Sequence, residues 1–321
     1  MKIVTTVRGT AVFLIAALVC ACGGEKPSST VQAVKPAAQT AATRSDALPP
    51  EQTGGFDGAK AFAHVGKLVA MGPRQSGSAG IREAQDYIRT QLQSFGCSVE
   101  ENAFEASTPA GQIPMKNILA KIAGASPSIV LLLTHYDTKR QEHFVGANDS
   151  GSSTGLMLEM ARQLCGKKSG MTIWIAFLDG EEALEEWSDT DSVYGSRQMA
   201  AKLALANELR NIKAVVLADM IGDRNLNIKR ESNSTGWLTD LIWATAKRLG
   251  YEKNFLPERQ TIEDDHMPFL RRGLPAVDLI DFDYPPWHTP ADTLDKVSAR
   301  SLGVVGHVLL ESLKEIEKKV R

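Results

Sequence analysis

The sequence predicts one α/β domain, a three-layer sandwich in which helices flank a central mixed, mostly parallel sheet. Short apolar runs closed by turn residues indicate buried strands, and longer segments with helical spacing of apolar residues separate them. Strands that alternate with helices along a chain favour a sheet covered on both faces. The 321 residues, of which 43% are hydrophobic, suffice for one large core, and no internal repeat divides them.

The individual elements follow from periodicity and from turn residues. The apolar run from Met171 to Leu178 is too short for a typical helix and indicates a buried strand. The second helix ends at Gly96, because glycine tolerates the left-handed conformation found at helix C-termini. Strands are predicted at 97–104, 116–122, 128–134, 171–178, 214–219 and 276–280. Helices are predicted at 59–70, 79–95, 155–164, 196–209, 236–249 and 301–320.

The N-terminus carries a targeting pattern. Lys2 and Arg8 precede an apolar stretch at 11–19, and the cysteine that follows Ala21 resembles the lipidated residue of bacterial lipoprotein signals. We therefore expect a lipoprotein-type signal peptide at 1–22 and a lipid anchor at Cys22, with a plain secretory signal as the alternative. Either signal implies an exported protein, periplasmic or attached to the cell envelope.

The segment that follows the signal has the composition of a tether. Residues 23–55 are rich in Ser, Thr, Ala, Pro and Gln and lack an apolar period, so a flexible linker is expected there and the catalytic domain at 56–321. Two cysteines, Cys97 and Cys165, fall in that domain. Export permits a disulfide between them, but their sequence contexts do not decide whether they pair.

Charge and hydropathy narrow the range of partners. Charged residues make up 23% of the chain and the formal net charge is −2. This balance argues against nucleic acid or an anionic membrane surface as the main partner. No stretch after the N-terminal segment is apolar over the length needed to span a bilayer. A monomer is the default expectation.

Two adjacent carboxylates follow the predicted strand at 171–178. Glu181 and Glu182 lie where this strand gives way to a loop, and the carboxyl ends of strands are where ligands bind in open α/β sheets. One glutamate on a metal and the other free as an acid/base would explain the pair. A bare Glu-Glu pair is more often a solvated turn, so its interpretation depends on the other strand ends.

Further polar side chains follow other predicted strands. His135 and Asp137 come after one strand, Asp149 after the next loop, Asp219 after another strand and His288 after the last one. Imidazole and carboxylate groups from separate strands are the ligands that zinc takes in hydrolytic sites, where one position stays open. Any of these residues alone would be an unremarkable structural group, but together they predict a zinc site.

Several motifs resemble known families. The chain resembles the zinc exopeptidase superfamily, which includes co-catalytic zinc aminopeptidases. The motifs that carry this resemblance are His135-Tyr136-Asp137, Asn148-Asp149-Ser150, Asp179-Gly180-Glu181-Glu182, Asp219 and Trp287-His288-Thr289. Two longer stretches resemble the glutaminyl-peptide cyclotransferases more specifically. One runs from Asp179 through Trp187 to Tyr194-Gly195-Ser196-Arg197, and the other runs from Asp264 to Gly273. This similarity extends over the chain from about residue 60.

The resemblance implies a set of site residues. One zinc ion per chain would be held by Asp149, Glu182 and His288, and Glu181 would be the free general acid/base. Asp219 and Asp264 match two acids that share a hydrogen bond beside the catalytic glutamate. The pocket walls would be Trp187, Trp287 and Tyr284, the last of which stands where the animal enzymes have a phenylalanine.

The resemblance also implies a reaction. An N-terminal glutamine of a peptide or protein would close into pyroglutamate with release of ammonia, an aminoacyltransferase activity. The alternative is a two-zinc aminopeptidase, in which His135 and Asp219 hold a second metal that Asp149 bridges. Asp264 would draw Asp219 away from such a metal. Asp278 departs from the family, because a histidine often stands there, and its role is not predicted.

Overall fold

The structure, a computed structural model, describes residues 46–320. Its main sheet has six strands in the order β1-β2-β4-β3-β5-β8. Strand β1 pairs antiparallel with β2, and β2 pairs antiparallel with β4, while β4, β3, β5 and β8 are mutually parallel, so the prediction of a mixed, mostly parallel sheet is confirmed. A separate two-stranded sheet pairs β6 with β7. The strands are β1 (Ser98–Thr108), β2 (Gly111–Ile122), β3 (Gly124–His135), β4 (Ser169–Leu178), β5 (Ile212–Asp219), β6 (Ile228–Glu231), β7 (Phe255–Gln260) and β8 (Ala276–Ile280).

Helices cover both faces of the main sheet. They are α1 (Gly58–Ala70), α2 (Ala79–Ser94), α3 (Gly151–Leu164), α4 (Tyr194–Leu205), α5 (Gly236–Arg248), α6 (Met267–Leu270) and α7 (Ala299–Val320). Side chains alternate along β3: Val130 and Leu132 pack with α1, α2, α3, α5 and α7, whereas Leu131 and Leu133 pack with α4 and α6. The three layers predicted from the sequence follow from this alternation.

A side-chain cap fixes where α1 begins, and close packing then fixes α3 against it. The Asp57 carboxylate accepts the backbone N–H groups of Ala59 and Lys60, each at 3.1 Å, at the start of α1. Helices α1 and α3 then pack closely at Gly155, where an added Cβ would lie 2.7 Å from the carbonyl oxygen of Ala61. Because α3 begins two residues after Asp149, this close packing helps to set the position of that acid.

Most predicted strands and helices differ from the observed ones by up to five residues at an end, and two further differences concern the linker and a missed sheet. Residues 46–55, expected in the flexible linker, belong to the folded unit: Thr53 is fully buried and its hydroxyl donates to the carbonyl of Phe56 at 2.6 Å. The predicted linker boundary at 55 is therefore too late. The sheet of β6 and β7 was missed because these strands carry polar, partly exposed residues without a clear apolar alternation.

The expectations for the N-terminus fall outside the described residues. These are the signal peptide at 1–22, the anchor at Cys22 and the part of the linker at 23–45. Between residues 46 and 320, no helix combines the length and the apolar character needed to cross a membrane.

Cys97 and Cys165 form a disulfide, which the sequence left open. Their sulfur atoms are 2.04 Å apart and their α-carbons 5.2 Å apart. The bond joins the residue before β1 to the residue after α3, 68 positions along the chain.

Candidate active site

The predicted acids and histidines meet at one edge of the main sheet. Strands β3, β4 and β5 are parallel, so His135, the glutamates after Leu178, and Asp219 emerge at the same edge. Asp149 joins them from the loop before α3, and His288 from the loop after β8. His288 adopts a left-handed backbone conformation with φ of 50°, which is costly for a non-glycine residue.

Two sets of three side chains share Asp149. His288 Nε2 lies 3.1 Å from Glu182 Oε1 and 3.3 Å from Asp149 Oδ2. On the other side, His135 Nε2 lies 3.3 Å from Asp149 Oδ1 and 3.1 Å from Asp219 Oδ1. Within each set all donor atoms lie within 4.8 Å of one another, which makes each a possible metal site.

Both sets have the spacing that zinc requires. Nitrogen and oxygen ligands about 2.0 Å from a tetrahedral zinc lie about 3.3 Å from each other, close to the separations measured around His288 and His135. Imidazole with two carboxylates is also a ligand set that zinc accepts. The second oxygen of Glu182 is buried without a hydrogen-bond partner in the described part of the chain, and the ammonium of Lys139 lies 3.5 Å from it. The residues present therefore fit the metal.

Asp137 orients the paired glutamates, and Asp179 is held by a separate set of hydrogen bonds shortly before them in the chain. The Asp137 carboxylate accepts the backbone N–H groups of Glu181 and Glu182, both at 3.2 Å, and lies 3.3 Å from His135 Nδ1. The buried Asp179 accepts hydrogen bonds from Ser76, Gln85, Tyr136 and the backbone of Lys116. Both aspartates stood within recognised motifs, but their partners are distant in sequence and gave no signal.

Burial and neighbouring charges set the protonation of the site. Burial raises the pKa of Glu181 well above its usual range, and the charges of Asp264 and Glu182 add to this effect while His135 opposes it. Burial alone would lower the pKa of His288, but its hydrogen bonds to Asp149 and Glu182 raise it to about 9. Glu181 is thus a buried carboxyl group whose protonated form is favoured more than that of an exposed glutamate.

Further acids lie under the site. Asp278 pairs in register with Leu217, so its side chain lies on the same face as Asp219 and deeper in the sheet. Asp278 is fully buried, and among residues 46–320 neither of its carboxylate oxygens has a hydrogen-bond partner. Burial raises the pKa values of Asp278 and Asp264 well above the usual range, and the charge of Asp264 raises that of Asp278 further. Asp219, also buried, has a raised pKa for the same reason.

A cavity of about 490 Å³ opens onto the ligand set and Glu181. Trp187 and Trp287 stand on its walls with 38% and 39% of their surfaces exposed. The ring of Trp287 stacks on that of His288, with 4.1 Å between the ring centroids, and its centroid lies 4.7 Å from that of Phe282. Of the predicted site residues, the cavity is lined by Asp149, Glu181, Glu182, Trp187, Asp219, Asp264, Trp287 and His288.

Three predicted site residues lie elsewhere. His135 and Asp278 are buried beneath the cavity floor. Tyr284 is also buried, and its hydroxyl donates to Asp292 at 2.6 Å, so it does not form the wall. Phe282 lines the cavity instead, because the chain turns after β8 so that Phe282 contacts Trp287.

The loop that carries Trp187 is held by one acid. The Asp191 carboxylate accepts the backbone N–H groups of Leu184, Glu185 and Glu186 at 2.9–3.0 Å. A half-exposed tryptophan is thus held at the cavity mouth by an ordered turn. The arrangement offers a metal-type ligand set, a proton-exchanging carboxyl group and aromatic walls that can enclose a small side chain.

Comparison with known proteins places this site in context. Residues 117–313 match the model of peptidase family M28. The glutaminyl-peptide cyclotransferase of Boiga irregularis is 32% identical, with 74% of this chain and 75% of the relative covered. The crystal structure of an Acidobacteriales bacterium glutaminyl cyclase superposes with a TM-score of 0.79 at 40% identity, covering 82% of this chain and 96% of that one. The glutaminyl cyclase of Porphyromonas gingivalis gives a TM-score of 0.76 at 31% identity, covering 81% and 98%.

Replacing Asp278 by asparagine should stabilise the metal-free protein more at pH 8 than at pH 5. The folded-state pKa of Asp278 is raised above its unfolded value, so unfolding releases a proton and rising pH favours the unfolded state. Asparagine cannot ionise and removes this dependence. Thermal unfolding at the two pH values measures the effect, with Asp86→Asn at an exposed position as the control for charge removal. Equal effects of Asp278→Asn at both pH values would contradict the prediction.

Proposed function

Because the chain belongs to peptidase family M28 and to the glutaminyl-peptide cyclotransferases, we propose that the site at the sheet edge closes the N-terminal glutamine of peptides or proteins into pyroglutamate. The observation that carries the assignment of roles is Glu181: a buried carboxyl group with a raised pKa lies beside a complete zinc ligand set without belonging to it. The substrate brings its own nucleophile, the α-amine, so no catalytic serine or cysteine is needed.

We propose that one zinc ion binds Asp149, Glu182 and His288. These three residues line the cavity, so a metal ion that they hold has direct access to a bound substrate. When bound, the metal supplies a Lewis acid toward the γ-amide oxygen of the substrate glutamine. Lys139, 3.5 Å from the second oxygen of Glu182, offsets part of the negative charge of the ligand set.

Glu181 carries the proton in this proposal. The α-amine of the substrate attacks the γ-carbonyl carbon, and the Glu181 carboxylate accepts the proton that the amine loses. The same proton then passes to the departing amide nitrogen, which leaves as ammonia, so Glu181 ends in its starting state. Asp137 supports this role, because its carboxylate fixes the backbone at Glu181.

The aromatic walls orient the substrate and limit water. Trp187, Phe282 and Trp287 form apolar surface on the cavity next to the ligand set. Attack within one molecule depends strongly on orientation, and a glutamine side chain held folded against these rings has its amine near its own amide. Water reaching the same amide would yield glutamate, so exclusion of water favours the cyclic product.

The second ligand set supports a different candidate, a two-zinc aminopeptidase. His135, Asp149 and Asp219 have the spacing for a second metal. Against this candidate, burial and the charge of Asp219 raise the pKa of Asp264, so a proton shared by these two carboxyl groups would draw Asp219 away from a second metal. We therefore propose a single zinc.

We also propose that the protein is an exported monomer anchored at Cys22 after removal of residues 1–21. The sequence at Ala21-Cys22 supports the anchor. The disulfide between Cys97 and Cys165 supports an oxidising compartment, where such bonds persist.

The decisive assay compares two substrates. We expect ammonia release from a Gln-Ala amide, matched by pyroglutamate formation, and no p-nitroaniline from Leu-para-nitroanilide. Removal of the metal by a chelator should abolish the first reaction, and added zinc should restore it. Metal analysis should give one zinc per chain. Two tightly bound zinc ions together with release of p-nitroaniline would instead establish the aminopeptidase.

Glu181→Gln should retain zinc but lose turnover. Glutamine keeps the size of the side chain but cannot accept the proton, so kcat should fall by roughly 10²–10⁴-fold. Zinc content and steady-state kinetics measure the two effects. Glu185→Gln, on the exposed part of the loop before Trp187, is the matched control and should be fully active. A Glu181→Gln enzyme with normal kcat would remove this residue from the mechanism.

Cys22→Ser should release the protein from membranes. Without the thiol no lipid can be attached, so the protein should move from the membrane fraction to the soluble periplasmic fraction of an expressing bacterial cell. Immunoblotting of the fractions measures the change, and Cys20→Ser should leave the distribution as it is. Continued membrane association of Cys22→Ser would argue against the anchor.

A further inference from the structure

A buried arginine holds one side of the loop that presents Asp149. Arg74 is fully buried, and its guanidinium donates hydrogen bonds to the carbonyl oxygens of Val145 at 2.8 Å and Gly146 at 3.0 Å. It also donates to the carbonyl oxygen of Tyr136 at 3.2 Å, in the segment that follows β3. A single side chain thus joins the loop of Asp149 to the strand end that carries His135.

A buried aspartate holds the other side of the same loop. Asp292 accepts three consecutive backbone N–H groups: its main-chain carbonyl accepts that of Ala147 at 3.3 Å, Oδ1 that of Asn148 at 2.8 Å, and Oδ2 that of Asp149 at 3.1 Å. Asp292 is itself fully buried. The carbonyl groups of 145–146 and the amide groups of 147–149 are therefore all fixed by two side chains and one carbonyl from distant segments.

Asp292 also belongs to the loop of His288. It lies four residues after His288, and its own N–H donates to the carbonyl of Thr289 at 3.0 Å. Its Oδ1 atom accepts the hydroxyl of Tyr284 at 2.6 Å, on the other side of His288 in the chain. One carboxylate therefore connects the backbone of Asp149 with both flanks of His288.

Only a carboxylate meets this demand. Three donors, two backbone N–H groups and one hydroxyl, point at the Asp292 side chain, and an ionised carboxylate accepts all of them without presenting a donor of its own. An asparagine in the same place would turn its NH₂ group toward a backbone N–H. The buried guanidinium of Arg74 lies near enough for the negative charge of Asp292 to stabilise it.

We propose that Asp292 is a positioning residue that fixes Asp149 relative to His288, and that Tyr284 acts on the site through Asp292 rather than as a pocket wall. The inference rests on the proposed zinc ligands. The zinc affinity of the protein then depends in part on Asp292, a residue that touches neither metal nor substrate. Partners of this kind typically change metal affinity by about 10–100-fold when they are lost.

Zinc affinity of the folded holoenzyme variants tests the proposal. Asp292→Asn should raise the zinc dissociation constant by about 10–100-fold, measured by competition with a chromophoric chelator at fixed pH. Asp281→Asn is the matched control. Asp281 is also fully buried and accepts two backbone N–H groups, those of Asn227 and Asp283, but it has no contact with the loop of Asp149. Asp281→Asn should bind zinc as the wild type does.

Tyr284→Phe provides a milder test that does not depend on whether Asp292→Asn folds. It removes only the hydroxyl donor, so zinc should bind more weakly than in the wild type but more tightly than in Asp292→Asn. In the double variant the tyrosine change should add nothing, because its effect passes through Asp292. Unchanged zinc affinity in Tyr284→Phe, equal affinities of Asp292→Asn and Asp281→Asn, or full additivity would each overturn the proposal. Since zinc is measured without substrate, a wild type that binds zinc but forms no pyroglutamate would refute the function and leave this inference standing.

Discussion

The carboxylate of Asp149 is shared between two imidazoles, and the arrangement of the surrounding loops depends on that sharing. Its two oxygens face His135 and His288 at 3.3 Å each, so it cannot move toward one histidine without leaving the other. The histidines come from different ends of the fold, one directly from β3 and the other from the loop after β8. The loop of Asp149 is accordingly fixed by hydrogen bonds to the carbonyl groups of 145 and 146 and from the N–H groups of 147 to 149.

The site concentrates more carboxyl groups than a dry interior can hold as anions, and their environments divide the charge among them. Asp149 stays ionised, because hydrogen bonds from His135 and His288 lower its pKa despite burial. Asp264 and Asp278 have pKa values raised well above the usual range, by burial first and then by neighbouring acids. The environment of Glu181 is intermediate between that of Asp149 and that of Asp264 and Asp278, because both His135 and the acid Asp264 act on its carboxyl group. A proton shuttle needs this intermediate environment.

The fold and most of the site could be predicted from the sequence, because both depend on patterns that are local in the chain. Apolar runs determined the strands, and residues directly after parallel strands were bound to meet at one edge, as His135, Glu182 and Asp219 do. Asp292 and Arg74 escaped prediction because their partners in the loop of Asp149 are backbone groups 71 to 145 residues away, which leave no trace in side-chain identity. The choice between Tyr284 and Phe282 as a cavity wall depended on the path of one loop, which spacing alone does not fix.

The disulfide has a consequence for the way the molecule opens. Helix α3 begins just after Asp149, where its first turn is fixed to the active-site loops, and it ends at Cys165, which is bonded to the start of the edge strand β1. A helix held at both ends cannot fray from its C-terminus, and the edge hairpin cannot detach from the body of the protein by its first strand alone. Local openings are thereby directed to other parts of the surface, such as the short sheet of β6 and β7. The amide hydrogens of α3 should therefore exchange slowly with solvent at both ends of the helix.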